Sequence, residues 1–252
     1  MKSHPYFLFD GSFAGFLNAI QKGLEESHAR VALNTLDHAD TLPLFGSGIK
    51  IETETQKARR LWEDLGLLGT EFQKRVYYCF LHENVKLRPE IYQYIVHLFY
   101  SDLAETEYSG IQAVKKLDKA VREVSRERDA QERVLSFKAN TGGVWYSEIQ
   151  PKHDILPLLS RYCRSRFPAD PWLVVDAYRK KSLSSVSGKI TLGVYLQNVK
   201  PESRALRNLQ RVTDAAMAEK TTCNTPPARS KTSSLLSGKT KNWEAEWGQK
   251  AV

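Results

Sequence analysis

The sequence predicts an α+β fold: a small mixed sheet packed with several helices, followed by a poorly ordered basic C-terminal tail. Three observations carry this. Val144 to Lys181, VWYSEIQPKHDILPLLSRYCRSRFPADPWLVVDAYRKK, reads as strand, helix, strand. The segments 55–103 and 111–133 repeat apolar residues at helical spacing. From Met217 onward Thr, Lys, Ser, Pro and Asn dominate with no sustained period. The expected division is an α+β domain over residues 1–181 and a divergent, mostly disordered basic tail over 182–252.

Tyr6-Phe-Leu-Phe9 is an apolar strand that stops at Asp10-Gly11, and Ser12 caps a helix carrying Phe13, Phe16, Leu17 and Ile20 on one face. Residues 41–48, TLPLFGSG, form a loop, and residues 49–53 a second short strand. Ala58, Leu61, Trp62 and Leu65, then Phe72, Val76, Tyr77 and Phe80, then Ile91, Ile95, Leu98 and Phe99 fall at i, i+3, i+4 spacing. Their simplest place is the core; the sharper alternative is a base-stacking platform of Arg75, Tyr77 and Tyr78. Residues 111–133 form a long helix with a narrow apolar seam of Val114, Leu117, Val121 and Val124. The rest of that helix is mixed charge expected mostly to neutralise itself, Glu123 with Arg126 and Glu127, and Arg128 with Glu132.

Val134 to Phe137 is expected to pair as a hairpin with the strand that follows Thr141-Gly-Gly143 and contains Val144, Tyr146 and Ile149. Pro151 ends that strand, and Asp154 caps a helix with Ile155, Leu158, Leu159 and Tyr162 at helical spacing. This sets His153 at the helix mouth. Trp172 to Val175 is apolar on both faces, which places it in the interior of the sheet. Ser182 to Gly188 is low in information, and residues 189–196 suggest one more strand.

The chain has 37 Lys and Arg against 29 Asp and Glu, a net charge of +8. The excess is local. Residues 177–252 hold 14 of the basic residues and 5 of the acidic ones, leaving 23 against 24 for residues 1–176. Net charge alone therefore says little about nucleic-acid binding by the body of the protein. Cys79, Cys163 and Cys223 lie far apart with no CxxC, which predicts neither a disulfide framework nor a zinc or iron–sulfur set. His82 and His97 are likewise too far apart for ligand spacing. No metal and no cofactor are expected from the residues. No signal-peptide run and no stretch of about eighteen apolar residues occurs, so a cytoplasmic protein without membrane contact is expected.

Asp10, His153 and Asp176 stand at strand ends or a helix mouth, positions from which a carboxylate can orient a histidine as general base. The Asp10-Gly11-Ser12 turn is equally ordinary cap and turn chemistry. Arg161 and Arg164, three apart on one helix, with Arg166 and Arg179, are the candidate phosphate contacts. Against this stands a plain ion pair of Arg166 with Asp176.

Three separated stretches carry a resemblance: Tyr6-Phe-Leu-Phe-Asp-Gly-Ser-Phe-Ala-Gly-Phe16; residues 149–159, IQPKHDILPLL; and residues 166–176, RFPADPWLVVD, with Arg179. Together they resemble a bacterial family of unknown-function domains associated with DNA metabolism and DNA repair. Its members are encoded beside a radical-SAM protein, and some are fused to a uracil-DNA glycosylase domain. The resemblance implies an accessory, nucleic-acid-binding role, with the radical-SAM protein as partner and DNA and a uracil-DNA glycosylase as further partners. The alternative is a hydrolase or glycosylase-like enzyme using Asp10, His153 and Asp176. The resemblance spans residues 3–181. Its loss after Lys181, where the sequence turns basic and aperiodic, is the pattern a shift of reading frame would leave.

Overall fold

In the computed structural model, which describes residues 5–28, 30–36, 48–100, 112–139 and 143–195, the chain divides into two units. Of the described residues, those up to Gln131 with Lys152–Ile155 form one, and those of Glu132–Pro151 and 156–195 the other. The fold class is α+β, as the alternation of periods predicts, with two sheets in place of one.

The first unit is built on β1 (Tyr6–Phe9), the middle strand of a parallel sheet in the order β2-β1-β3, with β2 at Ala32–Thr35 and β3 at Ile49–Lys50. Ser12 caps α1 (Phe13–Glu25) by accepting the Gly15 N–H at 2.9 Å, as its residue type predicts. Helices α2 (Thr55–Leu68), α3 (Thr70–Leu81) and α4 (Arg88–Tyr100) resolve the long helical stretch. The Phe13 ring meets Trp62, Tyr77 and Phe80 at centroid distances of 5.3, 4.9 and 5.0 Å. Tyr77 and Tyr78 are fully buried and Arg75 donates to Asp118, so this aromatic set is core and no stacking platform. Helix α5 (Gln112–Val134) buries Val114, Leu117, Ala120 and Val124.

The second unit holds a five-stranded mixed sheet, β4 (Lys138–Ala139), β5 (Trp145–Ile149), β6 (Trp172–Asp176), β7 (Lys181–Val186) and β8 (Lys189–Val194), in sequence order. β5 and β6 run parallel, so a crossover must join them; it includes a 3-10 turn at Leu156–Leu159 and α6 at Ser160–Arg166. β6 is the centre of the sheet and all five of its residues are buried, as its apolar run predicts. Trp172 and Val174 pack with Leu156, Leu159, Cys163 and Leu183, while Leu173 and Val175 pack with Val144. Each such side chain contributes about 1.5–3 kcal/mol.

Three expectations are corrected. The strand expected at Val134–Phe137 begins later: α5 runs on to Val134, and among the described residues Lys138 and Ala139 pair with Tyr146 and Trp145. No α-helix begins at Asp154; its N–H donates to the Leu81 carbonyl, and the chain enters a 3-10 turn that accommodates Pro157 before α6 begins. The boundary expected after Lys181 falls inside the sheet. β7 pairs with β6 along its length, and Ser187 and Gly188, both at positive φ, close a two-residue hairpin to β8. Leu183 is fully buried, and buried Ser182, Ser184 and Ser185 account for the weak apolar signal of this strand. The expected tail beyond residue 195 lies outside the described residues. Among those described, no helix is long and apolar enough to cross a membrane.

Candidate functional site

In the first unit two histidines distant in sequence come together. His82 follows the last residue of α3 and ends that helix. His153 follows β5 in a loop that Glu127 of α5 holds by both its oxygens, accepting the Lys152 N–H at 2.5 Å and the His153 N–H at 2.7 Å. The two imidazoles lie 4.3 Å apart between centroids and 33° from parallel. One turn earlier on α5, Glu123 lies 2.9 Å from His82 Nε2. His82, Glu123 and His153 each offer a ligand atom, and these atoms lie within 4.8 Å of one another.

Backbone hydrogen bonds assign the protons. The Asn84 N–H donates to His82 Nδ1 at 3.0 Å and the Glu83 N–H to His153 Nδ1 at 3.3 Å. Each neutral ring therefore carries its proton on Nε2, and His82 donates it to Glu123. That hydrogen bond holds the Glu123 carboxyl below its usual range. Burial, and then the neighbouring His82, hold the His153 imidazole below the usual histidine range. His153 is 3% exposed, and its Nε2 lies 4.0 Å from Glu127, beyond hydrogen-bond reach. The charges of α5 thus do not simply neutralise along the helix: Glu123 and Glu127 serve the histidines, and Arg128 bonds Asp129 and the Tyr78 hydroxyl.

The other candidate residues hold turns. Asp10 accepts the Ser12 N–H and hydroxyl at 2.9 and 2.6 Å and the Thr53 hydroxyl at 2.9 Å, and Gly11 supplies the positive φ the turn needs. Asp176 is fully buried. It accepts the N–H groups of Tyr178 and Arg179 and the Arg179 guanidinium, each at 3.0 Å. The same guanidinium nitrogen donates to the Pro151 carbonyl at 2.9 Å. Asp10, His153 and Asp176 share no hydrogen-bond partner among the described residues. The partner of Asp176 is Arg179, where Arg166 stood as the expectation. Arg166 instead lies 5.8 Å from the Phe167 ring centroid, and Arg161, Arg164 and Arg166 are all exposed on α6.

Sequence reasoning did not find His82, Glu123 and Glu127 as partners of His153. The only local signal is the i, i+4 pair of glutamates on the charged side of α5, and nothing in the sequence ties it to either histidine.

A family model described as a domain of unknown function, DUF4130, matches residues 87–247. The chain belongs to this family. The DUF4130 match takes in Glu123, Glu127, His153, the four arginines and Asp176, and begins after His82. It also runs past residue 182, where the resemblance read from the sequence ends. No curated protein and no solved structure matches the chain.

Proposed function

We propose that this DUF4130 protein is an accessory component of DNA repair or DNA metabolism in the bacterial cytoplasm, contacting nucleic acid beside a radical-SAM partner. One observation carries the nucleic-acid part: Arg161, Arg164 and Arg166 are exposed on one short helix of a body that is otherwise near neutral. Phosphates attract solvent-exposed guanidinium groups. Arg179 is withdrawn from this set by Asp176 and Pro151 and acts as a structural anchor. The radical-SAM partner, and a uracil-DNA glycosylase as a further one, come from the resemblance. Cys79 and Cys163, one in each unit, are free and buried. The test is a DNA electrophoretic shift with full-length protein and the Arg161→Ala/Arg164→Ala variant. Loss of the shift in the variant supports the reading, and an unchanged shift contradicts it.

The second reading is a hydrolase or glycosylase-like enzyme. The observation favouring it is His153, buried beside His82, with a Glu123 oxygen within 4.8 Å and a Glu127 oxygen at 4.0 Å. Asp10 and Asp176 anchor turns, so in this reading Glu123 and Glu127 take their place beside the histidine. Both Nδ1 atoms already accept backbone protons, so a base function at either one requires the 82–84 turn to open. Strand cleavage or base release that disappears in His153→Gln is the outcome this reading predicts.

A further inference from the structure

We propose that His82, Glu123 and His153 bind one divalent first-row transition-metal ion of the zinc type, a site the accessory reading does not require. An ion about 2.0–2.1 Å from each of several tetrahedral donors sets those donors roughly 3.3 Å apart. Here the closest pair, His82 Nε2 and Glu123 Oε2, is 2.9 Å apart and all three donors lie within 4.8 Å. Small side-chain rotations convert this spread to a coordination sphere. Two imidazoles and one carboxylate suit zinc, cobalt or nickel better than calcium or magnesium, which favour all-oxygen sets.

The three donors come from separate segments, and each is fixed by its own element: the end of α3, the middle of α5, and the loop that Glu127 clamps through two amides. Glu127 is then a positioning residue for His153 and the nearest further carboxylate to it, with water or Glu127 completing the sphere. His153 Nε2 makes no hydrogen bond among the described residues, the Glu127 carboxylate standing 4.0 Å away. A metal ion gives that nitrogen a partner.

Loading an ion on Nε2 of each ring moves the proton to Nδ1, which then faces a backbone N–H. Those two amides belong to Glu83 and Asn84, both exposed, so water replaces the lost acceptors. The 82–84 turn is the segment that shifts on binding.

The experiment is titration of tag-free, chelator-treated full-length protein with Co(II) and then Zn(II), read by visible absorption and calorimetry. One equivalent of Co(II) should bind with tetrahedral ligand-field bands that Zn(II) abolishes. His82→Ala, His153→Gln and Glu123→Gln should each weaken binding by about tenfold or more. His28→Gln, which removes an imidazole paired with Glu26 elsewhere in the same unit, should leave it unchanged. Circular dichroism checks each fold. Glu123→Gln retains the side-chain volume and an acceptor for His82, so it reports ligation even if His82→Ala fails to fold. No binding, or binding that all four variants retain equally, overturns the proposal.

Discussion

Arg179 binds Asp176 across the turn between β6 and β7: its guanidinium donates to the buried carboxylate at 3.0 Å and to the Pro151 carbonyl at 2.9 Å. The carboxylate also accepts two backbone N–H groups, so it holds both the turn and the arginine. Removing the carboxylate leaves a partly buried guanidinium and two turn N–H groups without that acceptor. Asp176→Ala should therefore cost about 3–5 kcal/mol in urea unfolding. A loss near that of an average surface substitution would show that the pair does not anchor the turn.

β6 makes a related prediction. Val174 is fully buried in the central strand, with Ser147 and Leu183 as its register neighbours on either side. Val174→Asp places an unpaired charge there and should destabilise the second unit by more than about 4 kcal/mol. Thermal melts followed by near-ultraviolet dichroism check it, and an unchanged midpoint would remove β6 from the core.

At the start of α1, alanine would ordinarily be favoured over glycine in a helix by about 1 kcal/mol. Gly15 reverses that preference. A Cβ there would run into Asp10 Oδ1 and lie 2.9 Å from Thr53 Oγ1, against the groups that form the turn. Gly15→Ala should destabilise by about 1–3 kcal/mol, read by chemical unfolding. Stabilisation would mean that the Asp10 turn yields freely.

Burial pushes the Cys163 thiol up to about 12, and burial also raises Cys79. The thiolate is the reactive form, so at pH 8 only about one Cys163 thiol in ten thousand is ionised in the native protein. Raising the pH toward the shifted value increases that fraction. Iodoacetamide at pH 8 should leave Cys79 and Cys163 unmodified until denaturant is added, as peptide mass spectrometry would show. Prompt native labelling of either would contradict its burial.

Much of the fold is legible because its signals are local. The run Tyr6 to Phe9, the Ser12 cap and the two-faced apolar strand at Trp172 each declare themselves within a few residues. β7 is less legible, since serines at 182, 184 and 185 are buried without being apolar. The histidine cluster has no local signal at all: His82 and Glu123 are 41 residues apart, and only the packing of α3 against α5 brings them together. Asp176 stands out by its position at a strand end, but which arginine it holds depends on the turn that follows. That turn brings back Arg179, three residues on, and leaves Arg166 exposed.

The central claim is that exposed arginines of α6 contact nucleic acid, and the most direct measurement is the salt dependence of binding to single- and double-stranded DNA. The full-length protein should lose affinity linearly on a logarithmic salt scale, by about 0.7–0.9 in slope for each phosphate neutralised. Arg161→Ala/Arg164→Ala should weaken binding and flatten that slope by about 1.4–1.8, as loss of two phosphate contacts requires. An affinity and slope identical to those of the parent would contradict the claim and assign any binding to the basic segment beyond residue 195.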